Sequence, residues 1–159
     1  MALKADRYEI ITDVSFFMNE TAERGGIAYA STAGSGSAMD QSSALVTYAV
    51  TNPSGQSPVG MLMNDMVDVD LSKYKLNEHK DEVQKGGKVC LMFEGWAVTN
   101  MIYPGITPTV KSVGYAGPSG YITTTAPTDS SGANLKCGKF LSTKDEDGYA
   151  KFYVKLPQD

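Results

Sequence analysis

The sequence predicts an all-β protein: a small β-barrel, β-tulip or sandwich of short antiparallel strands with an extended N-terminal arm and long loops. Three observations lead there. Runs rich in β-branched and aromatic residues, such as ALVTYAV at 44–50 and YAKFYVKL at 149–156, are of strand length, and the second alternates with strand period. Gly, Pro, Asn and Asp separate these runs at short intervals, as they do in sandwiches and barrels. No segment carries an apolar stripe at helical spacing long enough to hold a helix.

Composition narrows the class further. The chain of 159 residues is one ordinary domain, long enough to bury a core without staples. With 42% apolar and 20% charged residues it has a globular mix, not a disordered one. A net charge of −4 argues against a nucleic-acid partner, which would call for a basic face. No run reaches the roughly 18 apolar residues of a membrane span. Residues 1–6 lack the apolar segment of a signal peptide, so synthesis in a cytoplasm is expected. Cys90 and Cys137 both lie in apolar runs and read as buried thiols; they could pair only if their strands were neighbours.

Taken in order, residues 7–17 (RYEIITDVSFF) form the first strand. Tyr8, Ile10, Thr12, Val14 and Phe16 share one parity, with Glu9, Ile11, Asp13, Ser15 and Phe17 on the other. Ile11 and Phe17 make the second face partly apolar, so the segment suits an arm covered on both sides, by its own domain or by a partner. Residues 1–24 are assigned to this arm and residues 25–159 to the β-domain. Residues 19–24 offer one or two helical turns, stopped by Gly25 and Gly26. Residues 28–30 suggest a brief strand, and the Gly/Ser-rich residues 31–43 a loop. The run 44–50 is a strand that ends at Asn52-Pro53-Ser54-Gly55, where Pro presets φ and Gly supplies positive φ.

Residues 59–63 resume the sheet, with Gly60 marking a bulge or a close backbone approach. Residues 66–71 alternate apolar and acidic, the pattern of a strand with one wet face. Residues 72–84 are polar with sparse apolar positions and read as a long excursion with one helical turn near 78–82. Gly86 and Gly87 close it, and residues 88–94 return to sheet, with Val89, Leu91 and Phe93 opposite Cys90 and Met92. Gly95 before Trp96 predicts a sharp bend. Residues 110–116 and 121–125 flank a Gly-Pro-Ser-Gly turn as a hairpin. Residues 135–141 and 149–156 form a second hairpin through Asp147-Gly148.

The chain offers little for catalysis. His79 is the sole histidine and sits among polar residues, whereas a general base needs a partner within reach and a pocket. One His and two distant Cys lack zinc-ligand spacing. Neither Asp65, Asp68 and Asp70 nor Asp145, Glu146 and Asp147 follows a calcium-loop pattern. Gly34-Ser35-Gly36 is not followed by the Lys of a phosphate loop. No catalytic, cofactor-binding or metal-binding residue is assigned, no cofactor is expected, and an enzyme is not the expected reading.

Several stretches carry a resemblance. Residues 58–65 (PVGMLMND), Asp70-Leu71 and 76–89 (LNEHKDEVQKGGKV) are similar to the head decoration, or capsid cement, proteins of tailed bacteriophages. So are residues 7–17 leading to Asn19-Glu20 and Glu23-Arg24-Gly25-Gly26, and the closing GKFLS at 138–142 with DEDGYAK at 145–151. The resemblance implies a small β-barrel or β-tulip on the outer surface of the virion's capsid, made in the host cytoplasm. Such proteins commonly sit as homotrimers near three-fold positions and bridge neighbouring major capsid subunits after expansion. The implied partners are the major capsid protein and further copies of the chain, with no nucleic acid and no membrane. A tail- or fibre-associated β-domain that binds a receptor or glycan is the alternative, and a β-rich enzyme the third reading.

Two segments are expected to make the contacts. The arm, with Tyr8, Ile10, Phe16 and Phe17, could add a strand to an open sheet edge of a capsid subunit. The charged excursion is long for an idle loop and offers Lys80, Asp81, Glu82 and Lys85 as polar contacts. Many weak attachments on a lattice gain from multivalency.

Overall fold

The computed structural model describes residues 3–31, 45–65, 82–126 and 135–156. These residues form an all-β structure. In chain order the strands are β1 (Leu3–Met18), β2 (Ala22–Glu23), β3 (Ile27–Ala30), β4 (Leu45–Thr47), β5 (Pro58–Asp65) and β6 (Glu82–Val83). They continue as β7 (Lys88–Thr99), β8 (Val113–Ala116), β9 (Ile122–Thr123), β10 (Lys136–Phe140) and β11 (Ala150–Lys155), with one 3₁₀ turn at Pro118–Gly120. Nine strands make one sheet in the order β1-β4-β3-β5-β7-β11-β10-β8-β9. Strand β1 also pairs with β7, so the ladder β1–β4–β3–β5–β7 closes on itself. Strands β2 and β6 form a separate pair. Every named strand pairing is antiparallel except that of β1 with β4.

Burial on both faces explains the central runs. Met61, Met63, Cys90 and Met92 join a core with Tyr29, Ile122, Phe140 and Phe152. From the same strands Leu62, Val89 and Leu91 join a second core with Met18, Val46 and Tyr48. Strands that bury both faces read as continuous apolar runs because neither set of side chains meets water. The alternation at the C-terminal end has the opposite cause. Ala150, Phe152 and Val154 are buried while Lys151 and Tyr153 are only partly so, giving one core face and one outer face.

Several local expectations change. Residues 19–24 do not form helical turns: Ala22 and Glu23 pair with Val83 and Glu82 in a two-stranded ladder. The Gly25 N–H donates to the Leu62 carbonyl at 2.7 Å, and the Leu62 N–H to the Gly26 carbonyl at 2.9 Å. A single helical turn fixes several dihedrals for one hydrogen bond, so long-range pairing of the same backbone groups wins. The strand over 44–50 ends at Thr47 because Glu20 captures the backbone beyond it. Its carboxylate accepts from Thr47 Oγ1 and the Ala49 N–H, each at 2.8 Å, and from the Tyr48 N–H.

β7 runs through Gly95 as one strand, from Lys88 to Thr99. What the glycine permits is close approach. A Cβ there would lie 2.3 Å from the Tyr8 carbonyl oxygen, and the residue has φ of +149°. Gly60, read from the sequence as a bulge or close approach, lies against β7, where a Cβ would come within 3.0 Å of Phe93 Cδ1 and 3.1 Å of the Met92 carbonyl oxygen. The expected strand at 66–71 and nearly all of the excursion at 72–84, His79, Asp68 and Asp70 included, lie outside the described residues, as does most of the 31–43 loop.

Tyr48 links the two ends of the second core. Its hydroxyl accepts the buried Gly26 N–H at 2.9 Å, and its ring fills the space over Gly120 that a Cβ would otherwise enter. Burial pushes the Tyr48 phenol far above its ordinary pKa, so it stays neutral. Tyr48→Phe keeps the ring and removes the acceptor, leaving the Gly26 N–H buried and unpaired. We expect a loss of about 1–3 kcal/mol, read from the midpoint of urea unfolding. An unchanged midpoint would mean that another acceptor reaches Gly26.

Candidate functional site

The site begins with the pairing of β1. One edge of this strand runs along β7, from Leu3 opposite Thr99 to Phe17 opposite Lys88. The other edge meets β4 only at Phe17 and Met18. From Lys4 to Phe16 no further strand among the described residues pairs with it, so along this edge its backbone donors and acceptors have no ladder partner among those residues. An edge of this kind is a template for a strand from another chain.

Apolar side chains along the same stretch are exposed. Tyr8, Ile10, Ile11 and Val14 are 60%, 52%, 49% and 44% exposed. Of the seven exposed large hydrophobic residues among those described, four therefore lie within seven positions of β1. Scattered exposed apolar residues are ordinary, but a cluster marks an interaction surface. Among the described residues, this part of the segment expected to be covered on both sides keeps its large apolar side chains exposed.

Both ends of the strand are fastened. At the start, Lys4 Nζ lies 3.1 Å from Asp145 Oδ2 and 4.2 Å from the centre of the Tyr149 ring. Asp145 is preorganised to receive it: the Tyr149 N–H above all, then Lys4, hold its carboxyl below the ordinary value. At the far end Phe16 packs edge-on against Phe93 at 6.4 Å, and Lys88 Nζ sits 5.7 Å from the centre of the Phe17 ring. Between these anchors the ladder with β7 slips in register four times. Such irregularities, with Arg7, Glu9 and Asp13, disfavour indiscriminate pairing while leaving the edge open. Arg7 Nε donates to Glu9 Oε1 at 2.7 Å, and Asp13 accepts from the Ser15 N–H at 2.6 Å, so these charges are internally satisfied.

The residues singled out from sequence divide into groups. Tyr8 and Ile10 lie on the open edge. Phe16 and Phe17 are half-buried and hold the strand in place. Glu82 is exposed in β6, opposite Glu23, and Lys85 is exposed in the turn that follows. That turn meets the end of β1, where the Gly86 N–H donates to the Met18 carbonyl at 2.7 Å and the Met18 N–H to that of Gly87 at 3.0 Å. The arm and the exit of the excursion therefore converge. Lys80 and Asp81 lie outside the described residues. Residues 1–24, read as an arm, supply β1 and β2, both paired into sheets. Ile11 and Val14 were visible in the sequence as apolar residues of the same run, but their exposure depends on how the rest of the fold covers the faces of β1, which no local pattern encodes.

Other features bear on chemistry. Among the described residues no group of three or more His, Cys, Asp and Glu is placed to hold a metal. No helix among them is long and apolar enough to cross a membrane. Cys90 and Cys137 are buried free thiols, both pushed up by desolvation. A depression of about 430 Å³ is lined by residues including Asn52, Tyr103, Pro118, Thr123 and Thr125, with Tyr103 edge-on to Tyr121 at 6.1 Å. No protein-family model matches the chain, and no curated protein matches it.

Proposed function

We propose that this protein is a structural virion component of the tailed-phage head decoration type, without catalytic activity. It binds the outer surface of an expanded capsid and cements neighbouring major capsid subunits, as a homotrimer. The observation that carries this reading is the outer edge of β1, which from Lys4 to Phe16 pairs with no strand among the described residues and is flanked by the exposed Tyr8, Ile10, Ile11 and Val14. A strand added there gains backbone hydrogen bonds along its length, and the exposed side chains select the partner. Arrayed on a lattice, copies that are each weakly held stay attached because a released contact lies close to its next site.

The resemblance of residues 58–65, 76–89 and 138–151 to capsid cement proteins points the strand addition at a shell. A second reading has one supporting observation: the depression beside Tyr103, with amide and hydroxyl side chains around an aromatic ring, suits a sugar ring on a tail- or fibre-associated domain. One experiment tests both. Expanded and unexpanded phage shells are incubated with the full chain and imaged by electron cryomicroscopy, and the chain is applied to immobilised glycans in parallel. Trimeric density on expanded shells, with β1 against a capsid subunit, is expected. Bare shells with glycan retention would replace the first reading by the second, and neither kind of binding would remove both.

A further inference from the structure

The outer face of strands β7, β11, β10 and β8 carries a charge pattern opposite to that of the whole chain. Cross-strand register places Tyr8 beside Trp96, Trp96 beside Tyr153, Tyr153 beside Lys139 and Lys139 beside Val113. One continuous row thus crosses five strands and starts at the open edge. Lys151 Nζ lies 3.4 Å from the centre of the Trp96 ring, so this lysine belongs to the same face. Beside the row, Lys136, Lys139, Tyr153 and Lys155 line a depression of about 340 Å³. The Tyr153 hydroxyl donates to Glu94 Oε1 at 2.6 Å.

Counting charge over this face decides what it fits. Strands β7, β8, β10 and β11 contain one carboxylate, Glu94, against Lys136, Lys139, Lys151 and Lys155 on this surface. The chain as a whole has a net charge of −4. Four ammonium groups gathered on one sheet face of an acidic protein create a local positive field that steers a negative partner and disfavours contact between like faces. The aromatic residues do not form a free stacking platform of the kind that single-stranded nucleic acids use. An ammonium covers the Trp96 ring, and the Tyr153 hydroxyl is tied to a carboxylate that would repel phosphate.

We propose that this face seats an acidic protein segment, with Asp or Glu side chains entering the depression between Lys136, Lys139 and Lys155 and its apolar atoms resting on Tyr153, which lines the same depression. The inference rests on the docking reading and deepens it, because Tyr8 joins this face to the open edge. The capsid surface beside the added strand would then carry carboxylates.

The test uses the isolated full chain and a fluorescein-labelled oligoglutamate peptide at low salt, with labelled oligothymidylate as the competing class. The wild type is expected to bind the peptide and to release it as salt rises through the range where screening becomes strong. Lys139→Glu with Lys155→Glu is expected to weaken binding at least about tenfold. A charge-matched reversal elsewhere, Lys111→Glu with Lys144→Glu, is expected to retain it. No peptide binding by the wild type, equal loss in both double variants, or preference for the oligonucleotide would each overturn the proposal. Because the titration involves no capsid, it can fail while strand addition at β1 stands, and the reverse.

Discussion

Gly95→Val is expected to lower stability by about 4 kcal/mol or more and to lift β1 from β7, placing it in the small class of severe single substitutions. Two effects combine at this position. The backbone has φ of +149°, which L side chains rarely adopt. A Cβ would also lie 2.3 Å from the Tyr8 carbonyl oxygen, 2.7 Å from Met92 Sδ and 3.2 Å from Glu9 Cα. Two of these three atoms belong to β1 itself, one of them a carbonyl oxygen, so no rotamer change relieves the overlap; β1 must move. Gly86 provides the comparison. It has φ of +79° with nothing within 4 Å of a Cβ, so Gly86→Ala should cost only the dihedral penalty of about 1–2 kcal/mol. Guanidinium unfolding of both variants measures the difference, and limited proteolysis reads the detachment as new cleavage near Lys4 and Arg7. Equal midpoints for the two variants would show that β1 shifts on β7 at little cost.

The same glycine shows where sequence reading reached its limit. An isolated Gly inside a strand pattern signals either a bend or a close approach, and the local sequence cannot choose between them. The close approach depends on β1, some 85 positions earlier in the chain, lying against β7. Strand identities were legible because they rest on local residue types: residues 7–17, 59–63 and 88–94 fall within strands, and the run 149–156 holds β11 at 150–155. The hairpin of β10 and β11 was legible for the same reason, since Asp145 organises its own turn by accepting the Asp147 and Tyr149 N–H groups. Residues 19–24 failed because a helix signal of one turn is weaker than a pairing partner 60 residues away. The candidate edge was half legible. The apolar content of residues 8–17 was visible, but its division into anchors (Phe16, Phe17) and an exposed stretch (Tyr8 to Val14) follows from the tertiary positions of Phe93, Lys88 and β4. The lysine face was illegible, because Lys136, Lys139, Lys151 and Lys155 are spread over two strands and gather only through register.

That division into anchors and exposed stretch yields the second large effect. Removing residues 1–19 would strip β7 of a neighbour and unsettle the fold, so loss of binding by such a deletion would say nothing about docking. Point charges avoid this. Ile10 and Val14 are 52% and 44% exposed, and Ile10→Lys with Val14→Lys leaves Phe16, Phe17 and Lys4 to hold β1 in place. The fold should stay within ~0.5 kcal/mol of the wild type, as for surface changes away from special features. Binding to expanded shells should collapse. Each contact must then accommodate two ammonium groups where apolar side chains met the partner, and a tenfold loss per contact corresponds to about 1.4 kcal/mol. Where two contacts hold each copy on the lattice, the apparent affinity falls on the order of 100-fold, because the losses multiply. Co-sedimentation with expanded shells across a concentration series measures it, with urea midpoints taken on the same preparations. Matched stability with undiminished co-sedimentation would rule out the β1 edge as the attachment point, whatever else the protein binds.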